Sequence, residues 1–120
     1  MKRNHDCAIA ALAMYHGVSY HKVAKLIRYY RQFEENPRII GTPNNVLKAT
    51  SKELGKELEY SNGMPETVKN GKKAIIVVKH PYQCVYHALF WDGKRIYESL
   101  KDTYRWNTRY ALKCIIGTFH

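Results

Sequence analysis

The dipeptide Asp92-Gly93 constrains the fold of this chain most, because two segments rich in β-branched and aromatic residues flank it. A type I′ turn needs positive φ at both central residues, which glycine adopts freely and aspartate tolerates. A two-residue loop here predicts a β-hairpin in which His87 lies directly opposite Glu98. Opposed residues share a face of the sheet and have Cβ atoms about 4.5–5.5 Å apart. The sequence therefore predicts an imidazole beside a carboxylate.

Such a pair has a chemical use, because the carboxylate can fix the imidazole tautomer and stabilise the imidazolium. Two alternatives stay open. A three-residue loop with a bulge would set Tyr97 opposite His87, and most neighbouring His and Glu residues on sheets form only surface ion pairs. Catalysis would also need a nucleophile, which Cys7 offers from the other end of the chain.

Cys7 opens a run of strong helix formers that closes at Gly17, the residue type expected just past a helix end. A helix that is apolar nearly all round is usually buried. In the first turn of that helix, unpaired backbone N–H groups and the positive end of the helix dipole would stabilise a thiolate. The alternative is that Cys7 is one more small core residue, as free cysteines commonly are.

The remaining elements predict an α+β fold, in which N-terminal helices pack on a small antiparallel sheet. Helical spacing and capping signals predict helices from roughly Tyr20 to Phe33 and from Thr42-Pro43 to Gly55. Strand signals then dominate, and the predicted strands are Glu57–Tyr60, Lys73–Lys79, the two arms of the hairpin, and Leu112–Phe119. At 120 residues the chain is expected to form one domain over residues 1–120.

The charge balance favours anionic partners. Lysine and arginine number 20 against 10 acidic residues, which gives a net charge of +10. An acidic protein or a nucleic acid would be attracted to such a chain. The basic, tyrosine-rich segments Tyr20–Arg31 and Tyr104–Tyr110 are the candidate surfaces, although basic surfaces are often only solvated.

The three cysteines, Cys7, Cys84 and Cys114, show no CxxC spacing, which argues against a zinc site or a full disulfide framework. We expect no metal and no organic cofactor. The chain shows no secretory signal, and its apolar run Ala8–Met14 is too short for a transmembrane segment. These features predict a reduced, cytoplasmic protein.

Two stretches of the chain resemble a known family. Asp6-Cys7-Ala8-Ile9-Ala10-Ala11-Leu12-Ala13-Met14, and later His87-Ala88-Leu89-Phe90-Trp91-Asp92-Gly93, are similar to motifs of the papain-like peptidases that process bacteriocins after a double-glycine leader. The resemblance implies a nearly minimal papain-like fold, with Cys7 as nucleophile and His87 as general base and acid. Glu98 takes the place where the family usually has an aspartate followed by proline. Asp92 and Asp102 are the alternative third members.

The oxyanion hole is where the chain departs from the family, which resembles other papain-like enzymes in using an upstream glutamine. No glutamine precedes Cys7, so Asn4 is the nearest amide, with His5 and Gln83 as further candidates. The resemblance implies a peptide or protein substrate, cleaved at a peptide or isopeptide bond. Amidase and transglutaminase chemistry would use the same residues. The alternative is an impaired enzyme of the same fold that binds an acidic protein or a nucleic acid.

Overall fold

The computed structural model describes residues 6–33, 44–79, 86–97 and 115–120. Within these ranges the chain forms four α-helices and five β-strands, with the helices packed on the sheet, so the predicted α+β class is confirmed. In chain order the elements are α1 (Asp6–His16), α2 (Tyr20–Arg31), α3 (Asn44–Glu53), β1 (Tyr60–Asn62), α4 (Glu66–Lys69), β2 (Ala74–Lys79), β3 (Tyr86–Trp91), β4 (Ile96–Tyr97) and β5 (Ile115–Phe119). None of the helices in these ranges is long and apolar enough to cross a membrane.

The strands form one antiparallel sheet in the order β1-β5-β2-β3-β4. The β-branched strand β2 is central, as its sequence predicts, with β3 on one side and β5 on the other. The pairing of β2 with β5 shifts at one irregularity, between Val77 and Val78. The pairing of β2 with β3 runs without interruption from Ala74 opposite Trp91 to Lys79 opposite Tyr86.

The sheet buries side chains on both faces. On one face α1 packs against β3 and β2, and α2 and α3 pack against α1. The core on this side combines α1 with Ile75, Phe119 and the inner sides of α2 and α3. A second cluster covers the other face and contains Val68, Ala74, Ile76, Val78, Leu89, Trp91 and Ile96. Trp91 is buried there, and its indole N–H donates to the Val68 carbonyl at 2.9 Å.

Helix α1 is buried nearly all round, as its composition predicts. Residues 8–13 are each at most 5% exposed, and four of these six are alanines. Alanine side chains are small, so the helix axis can approach the sheet closely without leaving cavities. The helix therefore forms the centre of the molecule, with the sheet on one side and two helices on the other.

The predicted strand Glu57–Tyr60 is misplaced, because β1 runs from Tyr60 to Asn62 instead. Its position is set by pairing with β5, where Tyr60 lies opposite Phe119. The Tyr60 ring also covers Gly117, since a Cβ on that glycine would overlap the ring. Ser61 and Asn62 therefore belong to the strand.

The predicted two-residue hairpin loop is wrong. Trp91 pairs with Ile96 and Phe90 with Tyr97, so the loop contains the four residues 92–95. In the described residues only glycines have positive φ, which excludes the type I′ geometry at Asp92. The three-residue alternative is also wrong, because Tyr97 lies opposite Phe90 rather than His87. Glu98 lies outside the described residues. Its predicted pairing with His87 assumed a two-residue loop, and the observed pairing of β3 with β4 does not have that register.

Candidate active site

The Cys7 thiol contacts the strand that carries His87. Cys7 lies in the first turn of α1 and is half-buried. Its Sγ lies 3.5 Å from the backbone nitrogen of Ala88 in β3, and that N–H donates to the sulfur. These residues are 81 positions apart in the chain. A donor aimed at sulfur favours the thiolate over the thiol, and so does the start of a helix.

The packing of α1 on β3 brings this contact about. Ala88 and Phe90 of β3 pack against the core cluster that contains α1. Successive strand residues point to opposite faces, so Ala88 and Phe90 share the face of β3 that lies against α1. Ala8 and Ala11 of α1 are buried in the same cluster. Small residues on both elements leave room for the Cys7 side chain to reach the strand backbone.

His87 immediately precedes the residue that the thiol contacts. Standard peptide geometry puts the Ala88 nitrogen about 2.4 Å from the His87 Cα, so the sulfur lies within roughly 6 Å of that Cα. His87 is half-buried and lies opposite Val78. Alternation places its Cβ on the face that carries Leu89, away from α1. The imidazole would therefore have to extend past the edge of β3 to meet the thiol.

Asp92, one candidate for the third catalytic member, lies at the other end of β3. A rise of about 3.3 Å per residue puts it roughly 16 Å from His87, beyond hydrogen-bonding reach. Its Oδ1 accepts the N–H groups of Lys94 and Arg95, both at 2.7 Å. Partial burial raises the pKa of Asp92, but these two hydrogen bonds and one from the Tyr97 hydroxyl outweigh it and hold the pKa below its usual value. Asp92 thus organises the loop.

The other predicted site residues fall in ranges that the structure does not describe. These are the acidic candidates Glu98 and Asp102 and the oxyanion candidates Asn4, His5 and Gln83. Cys7, His87 and Asp92 are accordingly the predicted catalytic residues that lie in the described ranges. Within the described residues, no group of three or more His, Cys, Asp or Glu side chains could hold a metal ion.

A polar cluster at the far end of α1 is a feature that the sequence did not predict. His16 is expected from the sequence to be a surface or loop residue, yet it is the last residue of α1 and is half-buried. Its Nε2 lies 2.8 Å from the Oγ of Ser51, and that hydroxyl donates to the Lys56 carbonyl at 2.8 Å. Because the Ser51 hydroxyl proton is engaged in the hydrogen bond to Lys56, the His16 ring donates through Nε2–H to the Ser51 oxygen. The ammonium of Lys73 donates to the Tyr15 carbonyl at 2.7 Å beside this cluster.

Acid is expected to destabilise the protein through His16. Burial, and secondarily the charge of Lys73, lower the pKa of His16 below its usual 6.5. The unfolded chain therefore binds a proton more readily, so the stabilisation is complete above pH 6.5 and is lost as pH falls from there through the folded-state pKa. The fall in Tm between pH 7.5 and 5 should be smaller in His16→Gln than in the parent, as followed by circular dichroism.

The exposed histidine of α2 provides the control for that measurement. His21→Gln removes an imidazole that is exposed in the folded protein. The fall in Tm of this variant should match that of the parent. An equal fall in Tm in His16→Gln and His21→Gln would show that the acid sensitivity does not come from His16.

Comparison with known proteins gives no family assignment: no protein-family model matches the sequence, and no curated protein is significantly similar to it.

Proposed function

We propose that this protein is a small papain-like cysteine peptidase, or a closely related thiol acyl-transfer enzyme, in which Cys7 is the nucleophile and His87 the general base and acid. The observation that carries the proposal is the 3.5 Å contact between the Cys7 sulfur and the backbone N–H of Ala88. That contact joins the start of a buried helix to the strand residue next to a histidine. The motifs that resemble the bacteriocin-processing peptidases support the same assignment.

In the first half of the proposed reaction, His87 takes the proton of Cys7, leaving a thiolate and an imidazolium. The thiolate attacks the substrate carbonyl carbon, a C–S bond forms, and the carbonyl oxygen becomes negative. When the tetrahedral intermediate collapses, the C–N bond breaks and the imidazolium gives its proton to the leaving amine. The product of this half is an acyl-enzyme thioester on Cys7.

The second half regenerates the thiol. Neutral His87 takes a proton from water as the oxygen attacks the thioester carbonyl. When the C–S bond breaks, the carboxylic acid product leaves and the imidazolium returns its proton to the Cys7 sulfur. An amine in place of water would give transamidation with the same residues. The backbone N–H of Cys7, in the first turn of α1, is one proposed oxyanion donor, and Asn4 is the proposed second donor. The family resemblance, not the hairpin register, makes Glu98 the proposed partner of His87, with Asp102 as the alternative.

Alkylation of Cys7 by iodoacetamide tests the proposal directly. The parent for this experiment carries Cys84→Ser and Cys114→Ser, so that Cys7 is the single thiol of the chain. Labelling should stay fast well below pH 8.5, the usual pKa of a free thiol. His87→Ala should slow labelling at pH 6 by about tenfold or more, because the imidazolium that stabilises the thiolate is gone.

His21→Ala is the matched control, because it removes an exposed imidazole of α2 and leaves β3 intact. It should label as fast as the parent. Labelling that follows an ordinary thiol titration, unchanged in His87→Ala, would refute the Cys–His pair. The protein would then be better described as a non-catalytic binding protein of the same fold.

A further inference from the structure

The exposed face of α2 combines cations with aromatic rings. Lys22, Lys25 and Arg28 are exposed along this helix, which has no acidic residue. Tyr29 lies on the same face and is 55% exposed, and Phe33, just past the helix end, is 67% exposed. Positions three and four apart are neighbours on a helix, so these five residues form one continuous surface, which we call the α2 surface.

The two aromatic rings of the α2 surface form a pair. The centroids of Tyr29 and Phe33 are 5.4 Å apart with an interplanar angle of 76°, an edge-to-face contact. Tyr29 also contacts the ring of Tyr30 at 5.2 Å. Scattered exposed apolar residues are normal, but adjacent large rings that stay more than half exposed indicate a surface that binds a partner. The rings contact each other, which limits their motion before any partner arrives.

We propose that the α2 surface binds single-stranded nucleic acid. Each nucleotide of a single strand supplies one anionic phosphate and one planar base, and the α2 surface supplies ammonium or guanidinium groups beside aromatic rings. Lysine and arginine neutralise the phosphates, while unpaired bases stack on aromatic side chains. This function goes beyond acyl transfer and does not depend on Cys7.

Charge and ring geometry together select this partner. The net charge of +10 attracts any polyanion, including an acidic protein or a DNA duplex. An acidic peptide has carboxylates but no regular series of planar rings. The bases of a duplex are stacked on each other inside the helix and offer no free face to Tyr29 or Phe33. A single strand is therefore the polyanion that uses both halves of the α2 surface.

Fluorescence anisotropy with a labelled 20-nucleotide oligo(dT) tests this proposal. Lys22→Gln/Lys25→Gln/Arg28→Gln should weaken binding and reduce the slope of log K against log salt concentration by about 2, since each lost phosphate contact removes about 0.7 for a single strand. The control, Lys48→Gln/Lys52→Gln/Lys56→Gln, removes the same charge from exposed positions in and after α3. It should change affinity by less than about threefold.

The aromatic part of the proposal has its own test. Tyr29→Ala and Phe33→Ala should each weaken oligo(dT) binding about tenfold, because each removes a stacking platform. Cys7→Ser should bind as the parent does, which separates this proposal from the catalytic one. Three results would overturn it: equal loss in both charge variants, no loss on removing the rings, or displacement of oligo(dT) by duplex DNA or poly-glutamate at equal concentration.

Discussion

Acyl transfer from p-nitrophenyl acetate is expected to vanish in Cys7→Ala and to fall by about 10²–10⁴ in His87→Ala, because a positioned general base contributes a factor of that size. The substrate is an activated ester, so it needs no specific peptide sequence and reports the reactivity of the nucleophile itself. The single-thiol background is required again, since any free thiolate can attack this ester. The measurement is the initial release of p-nitrophenolate under single-turnover conditions.

Asp92→Asn is the informative companion to His87→Ala. Asp92 organises the loop of residues 92–95 and lies roughly 16 Å from His87, so its loss should change the acylation rate by less than about threefold. Glu98→Gln and Asp102→Asn are then compared, and the one that lowers the rate identifies the partner of His87. A rate in His87→Ala equal to that of the parent, with Cys7→Ala inactive, would leave Cys7 a reactive thiol without a base.

Local signals in the sequence predict the helices of this protein well. Gly17 has a φ of +65°, and the N–H of Val18 donates to the Ala13 carbonyl at 3.1 Å, which is the helix end that the glycine predicts. Ser19 accepts the N–H of Lys22 at 3.2 Å as the N-cap of α2. These interactions lie within a few residues of each other, so composition and spacing are sufficient to find them.

The features that the sequence does not predict are contacts between residues far apart in the chain. The start of α1 was a reasonable place for a nucleophile, but the contact of Cys7 with Ala88 depends on how α1 packs on the sheet. The bond between His16 and Ser51 likewise joins residues 35 positions apart. Each contact depends on the packing of one whole element against another, which no local pattern specifies.

The hairpin loop shows most clearly that a local signal does not determine a tertiary contact. Asp92-Gly93 correctly predicts a turn between two strands, yet the register is wrong by two residues. The carboxylate of Asp92 holds a longer loop, and Gly93 packs directly on the backbone of Gly71. The preference for a type I′ turn is a local energy, and here a tertiary contact between two glycines opposes it.

Gly93→Ala is expected to destabilise the protein by about 2–4 kcal/mol, as the sum of backbone strain and a backbone clash. Gly93 has a φ of +105°, which lies outside the left-handed region that side chains tolerate. A Cβ at this position would also overlap the carbonyl oxygen of Gly71. The Gly71 oxygen is a backbone atom and not the flexible end of a side chain. The clash can therefore be relieved only if the loop of residues 92–95 moves away from Gly71.

Gly71→Ala separates the two contributions. Gly71 has a similar φ of +118°, but a Cβ there would meet nothing within 4 Å. This variant should therefore show the strain alone, about 1–3 kcal/mol. Urea unfolding followed by circular dichroism measures both, and an unchanged m-value would show that the shift in midpoint is a change in stability. The clash predicts a lower midpoint for Gly93→Ala than for Gly71→Ala. Equal midpoints would mean that the loop between β3 and β4 does not rest on Gly71 in solution, and the four-residue loop would then need another cause.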